Sequence, residues 1–253
     1  MLNTLTHGTA TDTPPLLIVH GLYGSARNWR VIAKRLADER QVIAVDQRNH
    51  GQSPHTETHT YLNMADDLAE LIATLHGPVD LVGHSMGGKA AMALALQQPA
   101  LVKRLIVADI APVTYEHDQT QFIAAMRAVD LSQVRNRSDV TTQLAKHVDD
   151  PALQSFFTQS VDITNQRWRL NLDVLERDMP HILGFPDLAG PFDGPTLFLS
   201  GADSTYVRPE HRAEIRAKFP RAKFAKIPGA GHWLHADKPR EFEAALRYFL
   251  TNT

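Results

Sequence analysis

A serine flanked by glycines lies between a predicted strand and a predicted helix, and this stretch is the best suited to chemistry. Ser85 is the centre of a Gly-x-Ser-x-Gly pentapeptide, between Gly83 and Gly87. A serine on a sharp strand-to-helix turn needs small residues at those two positions, because the backbone passes close to itself there. The following helix directs its positive end at the hydroxyl, where negative charge develops during attack. The pattern predicts that Ser85 is a nucleophile.

Two further loops carry the groups that an attacking serine requires. His232 lies in a glycine-rich loop after the last predicted strand, and we interpret it as the general base that takes the serine proton. After the first buried strand comes His20-Gly-Leu-Tyr-Gly24. There we expect the backbone amide of Leu22 to pair with that of Met86 in an oxyanion hole. Together these residues predict acyl transfer.

The elements that must position these groups alternate between strands and helices through the first part of the chain. Short apolar runs predict buried strands, and stretches with apolar residues on one face predict helices. The alternation predicts an α/β fold with a mostly parallel sheet and helices on both faces. The predicted strands cover 14–19, 41–45, 78–82, 104–109, 195–200 and 222–227. The predicted helices here cover 25–36, 64–75 (capped by Asn63), 89–98, 210–219 and 240–250.

The alternation of predicted strands and helices stops between about residues 112 and 190. Four stretches there are typical of helices, and no strand of the earlier kind lies between them: 122–129, 140–147, 151–157 and 171–179. We therefore expect a helical cap over 113–190, inserted before the strand near 195–200. The hydrolase core would then consist of 1–112 and 191–253.

Composition excludes several classes of protein. The 253 residues are enough for one large α/β domain, and a formal net charge of −2 gives no general attraction to nucleic acid or a membrane surface. The absence of cysteine excludes disulfides and thiolate catalysis. The N-terminus lacks the pattern of a secretory signal, so a cytoplasmic location is expected. His55 and His59 have the spacing of a metal pair but no evident third ligand, and no metal or organic cofactor is expected.

The order of these motifs resembles that of the α/β-hydrolase superfamily over essentially the whole chain. Four segments more closely resemble the YbfF-like bacterial esterases and related mitochondrial hydrolases: Asp46-Gln-Arg-Asn-His-Gly51, Gly83-His-Ser-Met-Gly-Gly-Lys-Ala90, Asp109-Ile-Ala-Pro112 and Gly229-Ala-Gly-His-Trp233. The first is the most specific, because most relatives carry Arg-Gly-His-Gly where this chain has Arg-Asn-His-Gly. The resemblance implies a serine esterase or thioesterase that acts on small or acyl-chain esters through an acyl-enzyme.

The carboxylate that orients His232 is not obvious. Most members of the superfamily place it at the position that Ser204 occupies here, and a hydroxyl does not offset an imidazolium charge. Asp203 lies one residue early, so its side chain would tend to project elsewhere. Asp109 ends the strand beside that of the nucleophile, about 4.8 Å away, and the YbfF-like proteins are similar in this respect. We favour Asp109 as the acid, with Ser204 as an accessory group bridging to His232, and keep Asp203 as the alternative.

Three aromatic residues complete the predicted site. Tyr206 and Trp233 flank the expected pocket, and Trp168 of the cap is a further candidate for binding substrate, although each of them could serve packing alone. The expected partner is a small-molecule ester or thioester. Carbon–carbon bond hydrolases and perhydrolases share the fold and the triad, and some proteins of this fold only bind ligands. A nucleophile, a base and an oxyanion loop in one chain favour an esterase over a binding module.

Overall fold

The computed structural model describes residues 1–75 and 77–253, and within them the chain forms nine strands. These are β1 Thr4–His7, β2 Leu16–Val19, β3 Val42–Val45, β4 Val79–His84, β5 Val102–Ala108, β6 Val161–Asp162, β7 Arg167–Trp168, β8 Thr196–Gly201 and β9 Ala222–Ile227. Seven of them form one sheet in the order β1-β3-β2-β4-β5-β8-β9. Only β1 runs antiparallel to its neighbour. The predicted mostly parallel sheet is confirmed.

The helices lie between and after these strands. They are α1 Arg30–Leu36, α2 Tyr61–Ala73, α3 Met86–Gln97, α4 Thr120–Arg127, α5 Arg137–Leu144, α6 Pro151–Thr158, α7 Leu172–Arg177, α8 Met179–Leu183, α9 Arg212–Lys218, α10 Leu234–Asp237 and α11 Pro239–Thr251. No helix in the described ranges is long and apolar enough to cross a bilayer.

The two faces of the sheet bury separate apolar layers. Along β2, Leu17 and Val19 pack with α2 and α3, whereas Leu16 and Ile18 pack with α1 and α11. Successive side chains of a strand point to opposite faces, so a strand covered on both sides is apolar throughout. This explains why the buried strands were readable as continuous apolar runs.

Two local expectations were wrong. The edge strand β1 was not predicted, because its residues are only partly buried and carry no strong apolar pattern. The cap of α2 is Thr60 and not Asn63: the Thr60 hydroxyl accepts a hydrogen bond from the Asn63 backbone amide at 3.3 Å. An N-cap acceptor serves the amides two or three residues later, so the helix begins at Tyr61.

The segment between β5 and β8 contains α4 to α8 and a short hairpin of β6 and β7. The hairpin was not predicted, and the stretch predicted as one helix over 171–179 is two helices, with Pro180 just after the start of the second. This segment contacts the remainder of the chain through apolar packing and through polar groups. The Tyr61 hydroxyl donates to the Ile182 carbonyl at 2.6 Å, and the Asn171 amide donates to the Asn49 carbonyl at 3.0 Å.

Candidate active site

Ser85 lies on a sharp turn between β4 and α3. Its φ of 52° and ψ of −123° are a combination that a residue with a side chain rarely adopts. The turn closes only because glycines flank it: a Cβ on Gly83 would lie 2.3 Å from the Gly87 carbonyl oxygen, and one on Gly87 would lie 2.4 Å from that of His20. The packing therefore presents the Ser85 hydroxyl at the end of the strand and at the N-terminus of a helix.

Three side chains from distant parts of the chain form one hydrogen-bonded series. The Ser85 Oγ lies 3.0 Å from His232 Nε2, and His232 Nδ1 lies 2.8 Å from the Asp109 Oδ2. A carboxylate only accepts, so Nδ1 carries a proton and Nε2 is free to accept one from the serine. This is the geometry of a nucleophile, a base and an orienting acid.

Asp109 follows the last residue of β5 and is fully buried, with a φ of 52°. Its backbone amide donates to the Leu199 carbonyl of β8 at 2.9 Å, which holds it at the edge of the sheet. Its Oδ1 accepts from the Gly201 amide at 3.1 Å, and its Oδ2 accepts from the Ser204 hydroxyl at 2.5 Å as well as from His232. Three donors therefore hold the carboxyl oxygens of Asp109 in place.

Of the two candidate residues after β8, Ser204 differs from the expectation, whereas the Asp203 side chain projects away from the site as expected. Ser204 does not bridge to His232, because its hydroxyl donates to Asp109 instead. Asp203 is exposed, and within the described residues its carboxylate accepts no hydrogen bond; its amide donates to the Ala230 carbonyl at 3.0 Å. Of the two candidate acids, only Asp109 lies against the histidine.

The loop that carries His232 is held on two sides. The ring of Tyr206 stacks on the imidazole, with centroids 3.9 Å apart and an angle of 18° between the planes. From the other side, the Nε2 of His84 donates to the His232 carbonyl at 2.9 Å. The pKa of His84 lies well below its usual value, mainly because the ring is buried and to a lesser extent because His235 is close to it. His84 is therefore neutral. His84 therefore helps to position the loop, a role that its place at the end of a buried strand did not reveal.

Leu22 and Met86 line the same cavity as the Ser85 hydroxyl. The turn before α1 is tight, with the Gly24 amide donating to the Gly21 carbonyl at 3.0 Å. His20 fixes this loop from below, since its Nε2 accepts from the Gln47 amide at 3.0 Å. In the described part of the chain, no side chain accepts a hydrogen bond from the amide of either Leu22 or Met86, which suits an oxyanion hole.

A cavity of about 250 Å³ opens above these groups. Its floor is Ser85, His232 and the oxyanion loop, and its roof comes from the segment between β5 and β8. The apolar roof residues are Phe122, Leu153, Phe156, Phe157, Ile182 and Leu183. Tyr206 and Trp233 line the cavity, at the positions expected from the sequence. Trp168 does not, because it lies in the hairpin and its Nε1 donates to the Met126 carbonyl at 3.0 Å.

One charged residue in the cavity wall was missed by sequence reasoning. Lys89 of α3 is fully buried, and its Nζ donates to the carbonyls of Leu183 at 2.8 Å and Gly184 at 2.6 Å. The ammonium also lies 4.8 Å from the centre of the Tyr115 ring. Burial lowers the pKa of Lys89 to about 7. The available signal was a single lysine in an otherwise apolar helix.

No group of three histidine, aspartate or glutamate side chains within residues 1–75 and 77–253 could hold a metal ion. His59, one half of the pair considered above, is buried against Met86, with Nε2 3.3 Å from the sulfur. Burial lowers the pKa of His59 to about 3, so it is a neutral core residue.

Known proteins resemble this chain over most of its length. The model of the alpha/beta hydrolase family matches residues 16–245. The chain is 45% identical to the sn-1-specific diacylglycerol lipase ABHD11 of Mus musculus, over 97% of this chain and 83% of that protein. It is 37% identical to esterase YbfF of Escherichia coli K12, over 95% of this chain and 94% of that protein. A solved structure described as a marine microorganism esterase has a TM-score of 0.93 and 39% identity, and covers 98% of both chains.

Proposed function

Because the chain belongs to the alpha/beta hydrolase family and is a hydrolase of the esterase and lipase type, we propose that it cleaves carboxylic esters through an acyl-enzyme on Ser85. One observation carries the proposal. Ser85, His232 and Asp109 form a hydrogen-bonded series with distances of 3.0 and 2.8 Å, and the first two residues line the floor of an apolar cavity.

In the first half of the reaction, the Ser85 oxygen attacks the ester carbonyl while His232 Nε2 takes its proton. The carbonyl oxygen becomes an oxyanion, which the amides of Leu22 and Met86 stabilise. The buried carboxylate of Asp109 offsets the positive charge that forms on the imidazole. The tetrahedral intermediate then collapses: the bond to the alcohol oxygen breaks, and His232 returns the proton to that leaving oxygen.

In the second half, a water molecule attacks the acyl-enzyme carbonyl. His232 takes the water's proton, the oxyanion forms again, and the bond to Ser85 Oγ breaks as the histidine returns the proton to it. The products are an alcohol and a carboxylic acid. A thiol can replace the alcohol as the leaving group without any change in these steps, so acyl thioesters are included among the proposed substrates.

The walls of the cavity favour a neutral, apolar acyl group. They are aliphatic and aromatic apart from the triad, a few polar side chains and the Lys89 ammonium, which is already bonded to two carbonyls. One similar protein is named a diacylglycerol lipase, and this supports acyl esters of a small polyol as candidate natural substrates.

The test is hydrolysis of p-nitrophenyl esters from acetate to palmitate, with wild type beside Ser85→Ala. We expect hydrolysis that peaks at one chain length and falls at least about 10³-fold in the variant, since a triad without its nucleophile retains little turnover. A fluorophosphonate should label wild type at Ser85 and leave the variant unlabelled.

If the fluorophosphonate labels Ser85 but no ester in the series is hydrolysed, the proposal that esters are the substrates is wrong. The assignment of Ser85 as the nucleophile would still stand. The carbon–carbon bond hydrolases and perhydrolases that share the triad would then be tested with dienone substrates and with peracid formation. Equal hydrolysis by wild type and Ser85→Ala would contradict the acyl-enzyme.

A further inference from the structure

A second hollow lies beside the catalytic cavity, on the outer side of its wall. It measures about 530 Å³ and lies between α1, α6 and the loop after His232. Its apolar lining consists of Val31, Ile32, Ala152, Leu153, Phe156, Trp233, Ala236 and Pro239. We refer to this hollow as the α1–α6 groove.

The groove and the catalytic cavity share a wall made of side chains. Leu153, Phe156 and Trp233 line both spaces. The rings of Phe156 and Trp233 meet with centroids 4.5 Å apart and planes tilted by 59°. Both residues are only half-buried, so each ring has open space on at least one side. Side chains change rotamer far more readily than a backbone segment moves, so an opening between the two spaces would require only rotamer changes in this wall.

The catalytic cavity is small, so a long substrate would need the additional space of the groove. At about 250 Å³ it lies just below the range of roughly 300–1,000 Å³ typical of ligand pockets. A short acyl group fits beside Ser85, whereas a longer chain needs additional apolar surface. The groove offers that surface: Val31 is 59% exposed on the first turn of α1, with no apolar partner covering most of it.

The polar residues of the groove argue for an uncharged occupant. One cation, Arg27, occurs together with two carboxylates, Asp150 and Asp237, so the groove has no excess of positive charge that would attract an anion. An uncharged aliphatic chain is compatible with this mixture, and it gains by covering the apolar surface between the polar groups.

We propose that the α1–α6 groove is a second substrate subsite, which takes the distal part of a long acyl chain as it passes between Phe156 and Trp233. This inference rests on the proposed ester hydrolysis and adds its specificity-determining residues. The cavity holds the carbonyl and the first carbons of the acyl group, and the groove holds the carbons beyond them.

The chain offers a matched pair of variants. Val31 is the second residue of α1 and Leu62 is the second residue of α2; both are exposed, and Leu62 lines neither hollow. An aspartate is well tolerated in the first turn of a helix, so neither substitution should unfold the protein. Val31→Asp places a charge in the groove, whereas Leu62→Asp places the same charge elsewhere.

The measurement is the ratio of kcat/KM for p-nitrophenyl octanoate to that for the butyrate, at concentrations where both are dissolved. A buried methylene contributes about fourfold, so Val31→Asp should lower the ratio at least about tenfold. Leu62→Asp should leave the ratio within about twofold of wild type, as for most surface changes. Phe156→Ala opens the shared wall and should raise the ratio.

Equal ratios in Val31→Asp and Leu62→Asp would overturn the subsite, as would a wild type that hydrolyses the butyrate but not the octanoate. If the protein hydrolyses no ester at all, the groove can still be tested separately from the proposed function. The labelling rates of Ser85 by an ethyl and an octyl fluorophosphonate then report on the groove without turnover, and Val31→Asp must slow only the octyl reagent.

Discussion

Replacement of Asp109 by asparagine tests the candidate triad most directly, because the substitution alters charge and donors but little else. The residue has a φ of 52°, and asparagine tolerates this left-handed conformation as well as aspartate does. The side chain is fully buried, so the amide must take one of two orientations within the same set of three donors.

Either orientation damages the site. With the amide NH₂ toward Gly201, this NH₂ and the Gly201 backbone N–H are both donors and face each other. In wild type the Gly201 nitrogen lies 3.1 Å from the Asp109 Oδ1 that occupies this place. With the NH₂ toward His232, the imidazole Nδ1 must accept, so its proton moves to Nε2 and the ring no longer takes the serine proton. In the serine protease template the same exchange lowers turnover about 10⁴-fold, which corresponds to about 5.5 kcal/mol of transition-state stabilisation.

The assay is kcat on p-nitrophenyl butyrate, with Asp203→Asn as the matched control. We expect Asp109→Asn to lose about 10⁴-fold while Asp203→Asn stays within about twofold of wild type, since the Asp203 side chain is exposed and takes no part in the series from Ser85 to Asp109. Thermal unfolding of both variants shows whether the loss is one of fold or of chemistry. An Asp109→Asn variant that keeps its fold and more than a tenth of wild-type turnover would refute the assignment, and so would a collapse of Asp203→Asn.

Three further predictions follow from single contacts. Ser204→Ala removes one donor to Asp109 and should lower kcat on the order of tenfold, the effect of one hydrogen bond to a charged group; no change would show that this donor is dispensable. Lys89 has a lowered pKa, so the folded state binds fewer protons than the unfolded state between about pH 7 and 10.5. The stability of wild type relative to Lys89→Met should therefore rise with pH across that interval, as measured by urea unfolding, and a flat difference would contradict the shift. Gly87→Ala places a Cβ 2.4 Å from the His20 carbonyl oxygen and should cost at least about 2 kcal/mol of stability, seen as a lower Tm.

Local sequence was sufficient for much of the architecture. The buried strands were readable because both faces of the sheet are covered, which makes each strand an uninterrupted apolar run. The edge strand β1 lacks that pattern, and the short hairpin of β6 and β7 is too brief to show any period. A cytoplasmic location stays a prediction, as do the boundaries of the helical cap.

The sequence by itself indicated the turn around Ser85, and the close approach of the Gly87 carbonyl to Gly83 lies within that one short segment. The need for glycine at position 87 comes from the His20 carbonyl, which only the tertiary structure brings there. The sequence narrowed the candidates for the acid to Asp109 and Asp203, but it did not show that Asp109 lies beside His232, which is 123 residues further along the chain. Only the tertiary structure decided that Asp109 faces His232 and that Ser204 donates to the acid. It alone also placed Phe156 of α6 against Trp233 of the C-terminal loop. Such contacts depend on how separate elements pack, and no local period in the chain encodes that packing.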